Sequence, residues 1–326
     1  AEPPAPFSAP GVWPVTASAT ERILLLTILL AYAVLAVLYA TQTPPWQVPD
    51  EPAHYNYVRQ VAAGGCCPVL EAGDWDLDYL ALLTASGFDP QHLDRLPAVQ
   101  YEDHQPPLFY LLAAPVYGLT GGDLTALRLF SALLGAGVIL GIYGIGRAAS
   151  GGDGILALSA AALAAFLPQH IAILAGAGND SLAELIVGAG LLLTLWHLNG
   201  TVKARHAMPL LGFIMGLGLL TKASTLLLGP TVILAMVLRW RREETRQRHD
   251  LLRRLALFLA PALVLGAAWW GRNLAVYGWP DLLGLGRHDA VVVGQPRTAD
   301  WIADHGFGPW LADGVRITFP SFGGQF

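Results

Sequence analysis

The residues best able to do chemistry stand together early in the chain, in Val48-Pro49-Asp50-Glu51-Pro52-Ala53-His54-Tyr55. A positioned carboxylate can take a proton from a hydroxyl, and a histidine three or four residues further along a helix shares its face. The run follows shortly after the first long apolar stretch ends, near Thr41, so these groups are expected where water meets lipid. Pro52 suits the first turn of a helix, where its missing N–H costs nothing, and Asp50 or Glu51 is expected to cap that turn. Both acids would then lie at the positive end of the helix dipole, which favours their ionised forms. The plainer reading is that they only cap an interfacial helix.

The elements that must position these groups are membrane spans. The chain has 326 residues, of which 54% are hydrophobic and 13% charged. Soluble domains carry about 25% charged residues. Several apolar stretches of span length therefore predict an all-α polytopic membrane protein. The first span is Ile23 to Thr41, and others are expected near 124–147, 154–175, 181–198, 207–221, 223–238 and 255–277, about seven in all. A shorter run, Pro106 to Leu119, carries Pro115 inside it.

Charge decides whether that shorter run crosses. Arg239 to Arg254 holds seven arginines against three acids, which predicts a cytoplasmic loop. The loops with Arg147 and with Lys203 and Arg205 should share its side. They do so only if 106–119 lies in the interface. The segment from Gln42 to Asp123, with eleven acids and two arginines, then falls on the opposite side. The expected topology has a cytoplasmic N-terminus in a bacterial plasma membrane, with the site extracytoplasmic. The expected domains are a flexible tail over 1–21, a transmembrane module over 22–277 and an external segment over 278–326. The external loop 42–123 should contain helices at Asp50 to Ala63, stopped by Gly64-Gly65, and at Asp74 to Leu83, with 106–119 as a third on the membrane surface.

After Gly278 the chain turns polar and lacks obvious regularity. Cys66 and Cys67 are adjacent and fit no zinc spacing; a free or intermolecular thiol pair is one reading, and no chemistry is assigned to them. Glycine-rich pieces such as Gly141 to Gly144 fall within spans, where small residues serve helix packing. No nucleotide-binding domain and no nucleic-acid partner are expected. The absence of an initial Met and the abrupt stop at Phe326 suggest part of a longer protein.

Further polar residues collect on the expected outer side. His104-Gln105-Pro106-Pro107-Leu108 opens the interfacial run, and Asn179-Asp180 lies at an outer junction. Lys222 and Arg272 stand at outer ends of spans, against the positive-inside rule. Their stems could snorkel to headgroups. Together with the carboxylates and two histidines they suggest a cavity for an anionic lipid.

The motif Pro49-Asp50-Glu51-Pro52-Ala53-His54-Tyr55 resembles the acidic motif of GT-C-fold glycosyltransferases. The branch it is most similar to contains protein O-mannosyltransferases and lipid A aminoarabinose transferases. His104-Gln105-Pro106-Pro107-Leu108 is similar to that branch's His-x-Pro-Pro element. Leu127-Arg128-Leu129-Phe130-Ser131 to Arg147, Asn179-Asp180, Leu220-Thr221-Lys222-Ala223-Ser224, and Arg272-Asn273 with Tyr277-Gly278 follow in order. The resemblance covers about residues 22 to 326 and implies the GT-C conserved module, with transfer of a sugar from a polyprenyl-phosphate donor on the outer side. It implies that Asp50 is the base, with Glu51 and His54 supporting it. Lys222 and Arg272 would hold the donor phosphate, Asp180 would help shape the acceptor or sugar site, and His104 is a further expected substrate-binding residue. The segment Ser321 to Phe326 resembles one that usually leads into further spans, so a variable C-terminal module is missing from view.

Inverting transfer needs a carboxylate to take the hydroxyl proton and fixed cations to meet the charge on the departing phosphate. The donor is already activated as a phosphodiester, so no nucleotide-binding fold is required. A divalent metal could bridge carboxylates and phosphate, but the sequence shows no dedicated cage. Partners would be the sugar lipid, membrane lipids and other membrane subunits. The alternative is a non-catalytic GT-C-like subunit or scaffold of a larger complex. On the catalytic reading, Glu51→Gln should be a mild control beside Asp50→Asn.

Overall fold

The computed structural model describes residues 17–243, 247–295 and 297–321. Of the tail expected over 1–21, residues 1–16 lie outside the described residues, and Ala19 already opens the first helix. Among the described residues every regular element is helical, as composition predicts.

Among the described residues five stretches are long and apolar enough to cross a membrane: α1 (Ala19–Gln42), α5 (Leu124–Ala149), α8 (Asp180–Leu198), Ala223–Arg241 and α11 (Arg248–Tyr277). The Ala223–Arg241 stretch is a short 3-10 turn followed by α10 (Leu228–Arg241). The stretch expected over 154–175 is broken into α6 (Gly154–Phe166) and α7 (Pro168–Leu174), bent by 71°. Pro168 supplies the cause, since it cannot donate into the preceding turn and disfavours the helical conformation at Leu167. Counting that bent pair as one span gives six. The expected count of about seven is not confirmed by length and composition: α9 (Ala204–Leu219) has 16 residues, about 24 Å of helix. On α1 the side chains of Ile23, Leu26, Leu30 and Val34 are left exposed, a face suited to hydrocarbon and unsuited to water.

The chain forms two compact units, each discontinuous in sequence. One comprises the described residues up to Ala31 with Ala136–Ala165 and Ala183–Ala268. Here small residues permit close packing: a Cβ on Gly146 would lie 2.8 Å from the Cα of Ala157, and one on Gly212 would lie 2.1 Å from the Phe258 carbonyl oxygen. Its buried charges are paired, Glu21 with Arg147 at 2.9 Å and Arg254 with Glu243 at 2.6 Å.

The other unit comprises Tyr32–Gly135, Phe166–Leu182 and Trp269 onward. It holds the helices of the loop after α1. These are α2 (Glu51–Ala62), α3 (Leu77–Ala85), a 3-10 helix (Pro90–Ala98) and α4 (Leu108–Thr120). Gly64, at φ 91°, follows the end of α2 in a left-handed conformation that favours glycine. The 13 residues of α4 extend about 20 Å, too short for a hydrocarbon core of about 30 Å. That length agrees with a helix that does not cross. It packs along α2, with Tyr57 and Tyr110 stacked at 3.6 Å between ring centroids.

Two expectations about this unit need correction. The segment after Gly278 is not irregular: it forms α12 (Leu285–Val291), α13 (Thr298–His305) and α14 (Phe307–Ser321). Of these, α12 and α13 have only 7 and 8 residues, too short for a visible period. Cys66 and Cys67 are not a free or intermolecular thiol pair but are joined to each other in a disulfide.

Candidate active site

The N-terminus of α2 sets the site. Asp50 is its N-cap residue, yet it lies in the left-handed region at φ 58° and its side chain makes no capping bond. A capping residue is normally extended, so the left-handed backbone of Asp50, with Pro52 bringing no N–H at the second helical position, leaves the expected cap unmade. The helix opens instead through the backbone, with the His54 N–H donating to the Asp50 carbonyl at 3.0 Å. The Asp50 carboxylate is thereby released to accept from the Tyr101 hydroxyl at 2.8 Å. Burial, and then the nearby Asp50 charge, raise the Tyr101 phenol well above its ordinary value, which keeps it a neutral donor.

Glu51 has the opposite environment. It is fully buried and forms an ion pair with Arg128, itself 3% exposed, at 2.6 Å. Arg128 Nε donates to Glu51 Oε1 at 2.8 Å, and its Nη groups donate to the carbonyls of Ala40, Thr43 and Pro44. Glu51 also accepts from the backbone N–H groups of Trp46 and Ala177. Trp46 is a second non-glycine residue at positive φ, 71°. Such conformations cost about 1 kcal/mol or more each and persist only when the surroundings over-determine them. The Arg128–Glu51 network does this for the turn between α1 and α2. Glu51 is thus engaged on both oxygens and has no accessible atom for substrate; the sequence places it beside Asp50 as a catalytic carboxylate, and the structure places it behind Asp50 as an anchor.

Asp50 faces a cavity of about 560 Å³. Its walls include Trp46, Trp75, Phe88 and Tyr101, with Glu102, His288, Gln47 and Gln295 among the polar groups. The Trp75 ring is fixed by its Nε1–H, which donates to the Val293 carbonyl at 2.8 Å, and by an edge contact to Tyr101. Glu102 is buried, with its Oε2 lacking a hydrogen-bond partner. Burial alone would raise its carboxyl, but His54, His104, a bond from Gln105 and His288 outweigh it and hold the group below its ordinary value. His104 is buried, with Nδ1 3.1 Å from the Tyr101 carbonyl and its ring 4.4 Å from that of His288. Its imidazole is pushed down, first by burial. His54 is also buried, and its Nδ1 lies 2.8 Å from the Tyr110 hydroxyl. Both histidines line Glu102's surroundings and not the cavity wall.

A model of the dolichyl-phosphate-mannose-protein mannosyltransferase family matches residues 104–270, just over half of the chain. The chain belongs to that family. It is accordingly a membrane glycosyltransferase by class, of the GT-C type, and an integral membrane protein. No curated protein and no solved structure matches it.

The stretch shared with the glycosyltransferase family takes in His104, Asp180 and Lys222 and stops two residues before Arg272. Asp180 opens α8, half-buried, close enough to Tyr110 for its charge to be felt at that hydroxyl. Lys222 belongs to the other unit, half-buried and extended (φ −160°) at the head of the 3-10 turn Ala223–Leu227. Arg272 does not splay into the surroundings. It donates to the carbonyls of Cys67 and Pro68 and to Asn273 Oδ1, and it lies over the rings of Trp269 and Tyr277. The loop after α2 is fastened by the same neighbourhood: the Leu70 N–H donates to the Tyr277 hydroxyl, and Arg287 Nε donates to the Leu70 carbonyl. Among the described residues no three His, Cys, Asp or Glu side chains are placed to hold a metal ion.

Sequence reasoning missed Arg128 as the partner of Glu51, and Tyr101, Glu102, His288, Trp46 and Trp75 as walls of the cavity. One signal was present. Glu102 stands two residues before His104, just ahead of the His-x-Pro-Pro element.

Proposed function

We propose that this glycosyltransferase moves a sugar from a polyprenyl-phosphate donor to a hydroxyl acceptor with inversion, on the extracytoplasmic side. The observation that carries the reading is the Asp50 carboxylate, which caps no helix, is oriented by the Tyr101 hydroxyl, and faces the cavity. Asp50 takes the acceptor proton as the acceptor oxygen bonds to C1. The bond from C1 to the phosphate oxygen breaks, and the lipid phosphate leaves with its electron pair. A base so placed contributes about 10²–10⁴-fold to a proton-transfer step. Glu51 positions Asp50 through Arg128. His54 and His104 hold the Glu102 side of the cavity. Arg272 meets the donor phosphate, exchanging a loop carbonyl for phosphate oxygen. Asp180 shapes the sugar or acceptor end. The acidic balance of 42–123 against the basic 239–254 loop supports the assignment of side.

The test is sugar transfer by the longest form of the protein in bilayer nanodiscs, with polyprenyl-phosphate donors. Asp50→Asn keeps the shape and the Tyr101 contact and removes the basicity. Transfer should fall by at least about 10²-fold with unfolding unchanged. Full transfer by that variant would remove Asp50 from the mechanism, and an inactive wild type across a broad donor and acceptor panel would favour a scaffold.

A further inference from the structure

Resting on Asp50 as the base, the cavity it faces speaks to the chemical class of the acceptor. At about 560 Å³ it is of the size that encloses a small organic molecule, well beyond the slot that one serine or threonine side chain would fill. Its walls alternate rigid rings with hydrogen-bonding side chains. Trp75 is locked by Val293 and Tyr101, and Trp46 by its backbone bond to Glu51 and an edge contact with Tyr55. The same lining includes Asp50, Glu102 and Gln295. Glu102 is more than nine-tenths buried beside the cavity, and its Oε2 has no donor in the protein. A polypeptide acceptor would instead be held largely through its main chain, as an added strand or along an apolar groove. Flat apolar faces set beside acceptor-rich carboxylates and amides match a pyranose, which presents C–H faces and a ring of hydroxyl donors.

We propose that the acceptor is a saccharide hydroxyl, with one or two sugar units seated between Trp46 and Trp75 and the reacting hydroxyl at Asp50. The new glycosidic bond forms between that oxygen and C1 of the donor sugar. The hydroxyl proton passes to Asp50, and the lipid phosphate departs.

Saturation-transfer NMR on the full chain in nanodiscs would test this without any donor, using maltose, cellobiose, α-1,2-mannobiose and N,N′-diacetylchitobiose beside a short Ser/Thr-rich peptide. At least one disaccharide should bind and the peptide should not. Trp75→Leu should weaken binding by about tenfold or more, whereas Trp75→Phe should stay within about threefold. Gln295→Leu, an exposed change that leaves the fold intact, should also weaken binding if Trp75→Leu fails to fold. Binding of the peptide alone, no binding by any disaccharide, or disaccharide binding indifferent to folded cavity variants would each overturn the proposal. The readout is separate from catalysis. Disaccharide binding with full transfer by Asp50→Asn would sink the base and keep the cavity, whereas Asp50-dependent transfer to the peptide would do the reverse.

Discussion

Replacing Arg128 with methionine removes the guanidinium from the most heavily bonded point in the unit that carries Asp50. Both partners of the pair are buried, with side-chain exposures of 3% for Arg128 and 0% for Glu51. After the change the Glu51 carboxylate keeps only the N–H groups of Trp46 and Ala177, at 3.0 and 3.3 Å. The carbonyls of Ala40, Thr43 and Pro44 lose their shared donor as well. Removing one member of a buried ion pair costs about 3–5 kcal/mol, because the other charge is left without compensation. The same argument applies to Glu51→Gln, which strands Arg128, so that variant is no mild control for Asp50. The double variant Glu51→Met/Arg128→Met should cost less than the two single changes together, with a coupling of about 2–3 kcal/mol. Equilibrium unfolding in detergent micelles, followed by tryptophan fluorescence, gives all four corners of the cycle. Single variants within about 1 kcal/mol of wild type, or a strictly additive double variant, would refute an ion pair that holds the α1–α2 turn.

Two further changes have definite signs. Burial, opposed by a bond from Gln60 and reinforced by Asp74 and Glu102, pushes Asp103 from its ordinary 3.8 up to about 7. The folded state then holds this proton more tightly than the unfolded state. Its stabilising contribution is complete below about pH 4 and is lost as pH rises through 7, by as much as about 4 kcal/mol on a shift of this size. Unfolding measured from pH 5 to 8 should show the loss, and Asp103→Asn should flatten it; a wild-type profile identical to that of the variant would count against the assignment. In the other unit, Gly212→Ala would put a methyl 2.1 Å from the Phe258 carbonyl oxygen, which is backbone and cannot swing aside. It should destabilise by about 1–3 kcal/mol, while Gly141→Ala, which meets no atom within 4 Å, should not; equal unfolding midpoints would show that α9 and α11 are less closely packed than described.

The helical class, the first span and the helices after it were legible because apolar runs and their stops are local properties. Ile23 to Thr41 falls inside α1, and Gly64 follows the end of α2 where expected. The number of spans was less legible. Apolar content alone does not distinguish a continuous helix from one bent at Pro168, nor a full span from the 16 residues of α9. At the site, the cluster of Asp50, Glu51 and His54 could be read from spacing, but the division of labour could not. That division depends on Arg128, 77 residues from Glu51, and on Tyr101, 51 residues from Asp50. No local pattern encodes either pairing. His288 lay in a segment whose short helices show no period, so nothing in its surroundings pointed to the cavity.

Two adjacent carboxylates could have shared one environment and competed for one proton. Here the backbone separates them. The left-handed turn at Asp50 sends its side chain to Tyr101 and the cavity, while Glu51, one residue on, enters the helix and points to Arg128. Pro52 contributes twice, by starting the helix and by leaving one fewer first-turn N–H for Asp50 to cap. The cost of two non-glycine residues at positive φ is offset by the bonds that Glu51 and Arg128 make to the same turn. The buried acid therefore serves the accessible one. Loss of the anchor should misplace the base even where the base is intact, so Arg128 variants that remain folded should lose transfer without losing Asp50.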